Sequence, residues 1–223
     1  VGIPLGVFSA VKRDSFLDHV TRVIGLLGYS LPIFWLGLMA LMVFYAQLDW
    51  LPGPGRIDVF YEDIVDPVTG IMIIDCIIAR EWEIMRNAIW HVILPALLLG
   101  YYSMAYLSRM TRSFMIEQLR QEYILTARVK GVAEWKVIWV HALGNCAIPL
   151  ITVVALSFGG LLEGSVLTET VFAWPGLGLY LTNSLLNADM NAVLGSTLVV
   201  GSIFLGVNLL SDFLYKVADP RAR

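Results

Sequence analysis

Long uncharged runs alternate with charged segments along the chain. Roughly 20 apolar residues in an α-helix cross a hydrocarbon core of about 30 Å, and four of the runs reach that length. The pattern therefore predicts four transmembrane helices, at about 23–48, 87–108, 142–166 and 190–214. The alternative is a large soluble core, but buried helices rarely run this long without a charge.

The first segment, VGIPLGVFSAV, is an apolar run that ends before Lys12. It is too short to span a bilayer, and it lacks the basic leader and small-residue cleavage site of a signal peptide. We interpret residues 1–11 as the second half of a helix, part of an N-terminally truncated fold. The expected fold class is all-α, a polytopic transmembrane helical bundle in a single domain, 1–223.

Composition strengthens this expectation. Hydrophobic residues make up 58% of the 223 residues and charged residues 15%, with a mean hydropathy of +0.74, whereas a soluble domain carries about 25% charged residues. The two cysteines and three histidines are scattered, with Cys76 expected in a polar loop. No metal site, cofactor or nucleic-acid partner is expected.

The charges are distributed asymmetrically between alternate connections. The segment 49–86 has eight acidic and three basic residues, whereas 109–136 has six basic and three acidic ones. The connection 12–22 and the C-terminal tail are also rich in Lys and Arg, which are retained on the cytoplasmic side of membrane proteins. The sequence predicts that 109–136 faces the cytoplasm and that 49–86 is an outer loop.

Residues 113–140 look like a cytoplasmic helical segment with a break at Gly131, where glycine permits backbone angles that other residues resist. Small residues stand four apart at Ala127 and Gly131, and apolar residues after the break recur at helical spacing. Such a surface suits docking of another protein. A helix that merely lies against the headgroups is an equally good interpretation.

Four motifs resemble the B-type permeases of dipeptide and oligopeptide ABC importers. They are TARVKG, HALGNCAIPL, ETVFAWPGLG (169–178) and LLSDFLYKVADPR (209–221). Only Ala127, Gly131 and Leu143 match the wider coupling pattern of ABC-importer permeases, E-A-A-x-x-x-G-x9-I-x-L-P. Gly144 stands where the subfamily often has Arg.

The resemblance implies the type I ABC importer permease fold and half of a translocation path in the bacterial inner membrane. It implies a second, C-type permease, two cytoplasmic ATP-binding subunits and an external solute-binding protein as partners. The sequence lacks the phosphate-binding motif G-x-x-x-x-G-K-[ST], so no enzymatic activity of its own is expected. The residues expected to dock on an ATPase are Ala127, Gly131, Val132 and Glu134.

A second set of candidates lies near the predicted outer surface. The resemblance suggests a gate or binding-protein contact in the motif 169–178, at Glu169, Phe172, Trp174, Pro175 and Gly176; an aromatic membrane anchor is at least equally possible. Glu163 either borders the translocation path or lies in the wet interface. Gly160 and Gly164 form a G-x-x-x-G pair, which predicts close helix packing.

Two other classes of protein remain less favoured. An ion-gradient-driven transporter uses intramembrane charge relays and internal repeats, neither of which stands out here. An intramembrane enzyme needs a nucleophile paired with a base within the spans, and no such pair is evident. Within the importer interpretation, the cargo is a dipeptide or oligopeptide, or another small solute such as a nickel chelate.

Overall fold

The computed structural model describes residues 1–218, except for the side chains of residues 214, 215, 217 and 218. The end of the fourth quoted motif, residues 219–221, lies outside this range. The described chain consists of helices and turns without a strand, which confirms the all-α fold class. The α-helices are α1 (Gly2–Val11), α2 (Phe16–Ser30), α3 (Ile33–Ala40), α4 (Met72–Ala79), α5 (Trp82–Leu119), α6 (Glu122–Val129), α7 (Glu134–Lys136), α8 (Leu143–Val171), α9 (Leu177–Leu186) and α10 (Met190–Ala218).

Three short segments complete the helical structure. Leu41–Gln47 continues α3 as a π-helix, and Val137–Ala142 joins α7 to α8 in the same form. Val59–Tyr61 forms one 3₁₀ turn. The helix that runs from Glu134 to Val171, which we call the long rod, is therefore 38 residues long. The predicted span 142–166 lies within it.

Three of the described helices are long and apolar enough to cross a membrane: Trp82–Leu119, Glu134–Val171 and Met190–Phe213. A fourth span is reached if α2 and the helix Ile33–Gln47 are counted together as a broken pair. The predicted spans 87–108 and 190–214 fall inside α5 and α10, and the partial span 1–11 corresponds to α1.

The predicted span 23–48 contains a break at Leu31 and Pro32, between α2 and α3. The ring of a proline disfavours helical angles at the preceding residue. Leu31 accordingly has extended angles (φ −93°, ψ 137°), and Pro32 becomes the N-cap of α3. A run of apolar residues without charge conceals such a break.

The predicted outer loop 49–86 contains regular structure and a small core of its own. Val65, Cys76 and Ile84 are buried together, with half-buried side chains packed around them. Cys76 is thus buried in α4 and not in a polar loop, because the segment MIIDCIIA forms a helix with an apolar face. Burial raises the pKa of the Cys76 thiol.

Two compact units are formed by separate stretches of the chain. The first comprises Val1–Leu31, Tyr101–Leu162 and the described part of Val199–Arg223; the second comprises Pro32–Gly100 and Glu163–Leu198. The core of the first unit brings together α1, the end of α5, α6 and the beginning of the long rod. Its buried residues are Val7, Ala10, Met115, Ile124, Val137, Ala142, Cys146 and Leu150.

Candidate functional site

The predicted break at Gly131 is confirmed in the Gly131 turn, which we define as residues 129–134. Gly131 has φ +75°, a left-handed conformation that favours glycine. The N–H of Gly131 donates to the carbonyl of Arg128 at 2.9 Å, and the N–H of Val132 donates to that of Ala127 at 3.1 Å. These bonds satisfy carbonyl groups at the end of α6 and fix the direction in which the chain leaves it.

One face of this segment is committed to the core of the first unit. Ile124 and Val137 are fully buried there, and Ala127 and Val132 pack against the cluster while half-buried. The small size of Ala127 therefore serves packing inside the chain as well as any external contact. Two of the four predicted docking residues face largely inward.

The opposite face is open and apolar. Leu125 is 64% exposed, Val129 is 80% exposed, and Trp135 is 59% exposed. Leu125 and Val129 stand four residues apart and so lie on the same side of α6. Neither was among the predicted docking residues, although their helical spacing in the sequence is a signal that could have identified them.

Gly131 and Glu134 lie on the surface of the turn, as the docking prediction requires. No described atom lies within 4 Å of the position that a Cβ of residue 131 would occupy. The guanidinium of Arg128 contacts the carboxylate of Glu134 at 2.8 Å and so connects α6 to α7 across the turn. Both side chains are exposed, and such pairs contribute at most about 1 kcal/mol.

The predicted helical segment 113–140 has a second interruption that the sequence analysis missed. α5 ends at Leu119, and α6 begins at Glu122 after Arg120 and Gln121. No glycine or proline marks this position, and Gln121 has extended angles (φ −73°, ψ 151°). The short helix α6 is consequently set off from its neighbours at both ends.

The second candidate region is the Glu169 turn, which we define as residues 169–178. One carboxylate oxygen of Glu169, Oε2, accepts hydrogen bonds from the N–H groups of Gly178 (2.6 Å) and Leu179 (3.1 Å). These N–H groups belong to the first turn of α9 and have no partner within the helix. Glu169 therefore caps α9, a structural role that the sequence analysis did not assign to it.

The other members of this turn are closely packed. A Cβ on Gly176 would collide with the carboxylate of Glu169, and one on Gly178 would collide with Cα of Val166. Phe172 is buried, and its carbonyl accepts from the N–H of Gly55 at 2.8 Å. Trp174 is half-buried and Pro175 is exposed.

Glu163 is exposed on α8, six residues before the Glu169 turn. The two glycines of the predicted pair differ in their surroundings. Gly164 is buried, and a Cβ there would lie 3.1 Å from Cδ1 of Ile33, whereas a Cβ on Gly160 would lie 3.8 Å from Tyr102. The tighter approach is at Gly159, against the ring of Phe204, a glycine that the motif did not single out.

Among residues 1–218, no group of three or more His, Cys, Asp or Glu side chains could hold a metal ion. The two candidate regions are a turn with an exposed apolar edge and a turn closed by its own hydrogen bonds.

A sequence model of a protein family, described as the binding-protein-dependent transport system inner membrane component, matches residues 2–223. The chain belongs to this family. The sequence-based identification of an inner-membrane permease of this kind is confirmed. Membership agrees with the membrane-length helices and with the exposed apolar surface that they carry.

Three relatives illustrate the similarity. The chain is 44% identical over 222 residues to the di/tripeptide transport system permease protein of Pseudomonas aeruginosa, covering 100% of this chain and 66% of the relative. In Escherichia coli, the probable D,D-dipeptide transport system permease protein is 46% identical (99% of this chain, 65% of the relative), and the dipeptide transport system permease protein is 46% identical (100% and 66%). The chain thus spans just under two thirds of the length of these relatives.

Proposed function

We propose that this chain belongs to a permease subunit of an ATP-driven importer and forms half of a translocation path for dipeptides or oligopeptides. The supporting observation is the 44–46% identity, over essentially the whole chain, to proteins named as permeases for small peptides. Cargo delivery by an external binding protein agrees with the description of the family.

The proposal includes a second, C-type permease, which forms the other half of the path, and two cytoplasmic subunits that hydrolyse ATP. The chain itself acts as a transport subunit without enzymatic activity. Its orientation follows from the retention of basic residues on the cytoplasmic side, so that the Gly131 turn faces the cytoplasm and the segment 49–86 faces outward.

In this proposal the Gly131 turn is the contact through which the ATP-binding subunits move the membrane helices. The core beneath it joins α6 to α1, α5 and the long rod through buried side chains. A displacement of α6 is therefore transmitted to helices of membrane length. The exposed apolar pair Leu125 and Val129, together with Gly131 and Glu134, forms the surface that an ATPase subunit would cover.

Glu163 is proposed to border the path and to favour a cationic group such as the ammonium group of a peptide. Its exposure on a membrane-length helix supports this role, because a carboxylate at such a position is costly unless it faces water or a partner. The variant Glu163→Gln should lower the rate of uptake and leave assembly of the complex intact. Unchanged transport kinetics would contradict this assignment.

The decisive experiment is uptake of a labelled dipeptide into proteoliposomes that contain the assembled transporter. Uptake should require the cognate binding protein and ATP on the side of the membrane that carries the ATP-binding subunits. Vanadate should stop the uptake. Uptake driven by an ion gradient without ATP would identify a secondary transporter instead. Competition by a nickel chelate, but not by dipeptides, would reassign the cargo.

A further inference from the structure

A cavity in the first unit, lined by α1, α2 and α5, concentrates arginine side chains at one end of the long helix α5. Its volume is about 400 Å³, which lies within the usual range for ligand sites. Arg22, Arg109 and Arg112 contribute to the lining, together with the hydroxyl-bearing residues Ser9, Thr21, Ser108 and Ser113.

One of these arginines is held by a buried carboxylate. Arg112 donates from Nε and Nη2 to Oδ1 and Oδ2 of Asp18, at 2.8 and 2.9 Å. Asp18 has no exposed surface, and it also accepts from the hydroxyl of Ser9 and from the N–H of Asp14. Arg22 lies 3.8 Å from the same carboxylate. The negative charge of Asp18 thus lies beside two positive charges, those of Arg112 and Arg22.

Arg109 differs from Arg112 in its partners. Its guanidinium carbon lies 4.3 Å from the centre of the Tyr29 ring, and none of the described carboxylates lies within 4.0 Å of its nitrogen atoms. Stacking on an aromatic ring uses the face of a guanidinium, whereas its five N–H donors lie in the plane. The donors of Arg109 therefore remain available to an anion in the cavity.

The surface around the cavity is apolar, which indicates the source of that anion. On α2, the side chains of Val23, Leu26 and Leu27 are at least half exposed, and Leu26 also lines the cavity. A soluble anion would gain nothing from such surroundings, but acyl chains would pack against them. Basic cavities between membrane helices on the cytoplasmic side suit the headgroups of anionic lipids.

We propose that this cavity binds the phosphate group of an anionic phospholipid from the cytoplasmic leaflet. Arg109 and Arg22 provide the charge, the hydroxyl groups of Ser108 and Ser113 provide further hydrogen bonds, and the exposed face of α2 contacts the acyl chains. Arg112 is fixed by Asp18 and shapes the wall. The inference requires the proposed orientation of the chain but does not depend on the proposed cargo.

The test uses the assembled transporter in nanodiscs of phosphatidylcholine alone or of an equal mixture of phosphatidylcholine and phosphatidylglycerol. After exchange into detergent, the lipids that remain bound are quantified by mass spectrometry. The wild-type complex should retain phosphatidylglycerol selectively. The double variant Arg22→Gln/Arg109→Gln should lose this selectivity by at least about tenfold, equivalent to 1.4 kcal/mol, because both charges that face the phosphate are removed.

The matched control is Arg120→Gln, which removes a charge from an exposed position between α5 and α6, outside the cavity lining. It should retain phosphatidylglycerol as the wild type does. Equal retention by the double variant would overturn the proposal. The proposal would also be overturned if inorganic phosphate, in nanodiscs of phosphatidylcholine alone, raised the unfolding temperature of the wild type as much as phosphatidylglycerol does. The site would then take a soluble anion.

A third arm separates lipid binding from protein packing. In nanodiscs of phosphatidylcholine alone, the double variant should unfold at the same temperature as the wild type, because the ligand is absent. A large loss of stability there would show that the arginines hold the protein together or bind a neighbouring subunit, and it would contradict the lipid assignment.

Discussion

The Gly131 turn and the Glu169 turn both connect helices through glycine-containing segments, yet they use glycine differently. Around the Glu169 turn the glycines are surrounded, and a Cβ on Gly176 or Gly178 would collide with its neighbours. At the Gly131 turn only the backbone angle requires glycine, and the space beside it is open. The Glu169 turn is closed by its own contacts, whereas the Gly131 turn leaves an unfilled surface.

The same contrast holds for their carboxylates. Glu169 is half-buried, and one of its carboxylate oxygens accepts hydrogen bonds from two N–H groups of α9. Glu134 is exposed and forms only a surface ion pair with Arg128. A turn whose polar groups are already satisfied within the chain serves stability, and a turn with an exposed apolar edge suits a partner. This difference is the reason for assigning coupling to the Gly131 turn.

The largest effect is expected from the added methyl group of Gly178→Ala. Its Cβ would meet the backbone of Val166, and overpacking of this kind costs about 1–3 kcal/mol. The measurement is the thermal-unfolding midpoint of the purified complex. Gly131→Ala is the matched control, with only the penalty of a left-handed alanine, about 1–2 kcal/mol, and no collision with a neighbouring atom. Equal losses of stability in the two variants would contradict the proposed difference between the two turns.

The next effect concerns coupling, in addition to the left-handed strain that Gly131→Trp shares with Gly131→Ala. Gly131→Trp fills the open space at the turn, so an ATPase subunit could no longer approach, and uptake should fall at least about tenfold, equivalent to 1.4 kcal/mol. Gly131→Asn, which tolerates the left-handed conformation, should retain most of the uptake. Uptake and ATP hydrolysis are measured together in proteoliposomes. Full coupling in Gly131→Trp would refute the docking assignment.

The change Glu169→Gln tests the cap on α9 and should have a smaller effect. Glutamine keeps an acceptor oxygen but loses the charge, and charge-assisted bonds are roughly twice as strong as neutral ones. We expect a loss of about 1 kcal/mol in stability, with ATP-coupled uptake retained per assembled complex. A complex of normal stability that fails to transport would instead support the gate that the sequence analysis predicted.

The smallest effect on stability is expected from Asp75→Asn. Asp75 is a second example of a carboxylate whose hydrogen bonds are formed within the chain. The hydroxyl of Thr69 donates to Oδ1 at 2.7 Å, and the N–H groups of Thr69 and Gly70 also donate to this side chain. The Thr69 hydroxyl, above all, lowers the pKa of Asp75. Its stabilising contribution is therefore complete above the ordinary aspartate pKa of about 3.9 and is lost as pH falls through the lowered value.

The corresponding measurement is the difference in unfolding temperature between the wild type and Asp75→Asn as a function of pH. This difference should be constant near neutrality and shrink below about pH 4. A difference that is the same at every pH would mean that the ionised carboxylate is not what stabilises this segment.

The sequence predicted those features that depend on local composition. Uncharged runs predicted the long helices because apolar length is what a bilayer requires, and Gly131 predicted the break because its left-handed angle favours glycine. The interruption at Gln121 has no such marker. The capping role of Glu169 was also not predicted, since it depends on how the chain folds back after Val171 to present the N–H groups of α9.

Contacts between distant parts of the sequence were beyond the reach of pattern analysis. Asp18 and Arg112 are 94 positions apart, and each is an ordinary charged residue in its own segment. The inward orientation of Ala127 and Val132 likewise depends on Val7 and Ala10 of α1, which complete the core beneath them. The sequence identified the segment that we propose for coupling, but only packing could separate its buried face from its exposed one.

The central claim, that the exposed edge of the Gly131 turn meets ATP-binding subunits in the cytoplasm, is tested most directly by labelling Val129→Cys in sealed vesicles. A membrane-impermeant thiol reagent should label this cysteine only in inside-out vesicles from which the ATP-binding subunits have been stripped, and rebinding of those subunits should protect it. The two native cysteines are buried and should react little. Labelling in right-side-out vesicles would contradict the proposed orientation and the coupling mechanism with it.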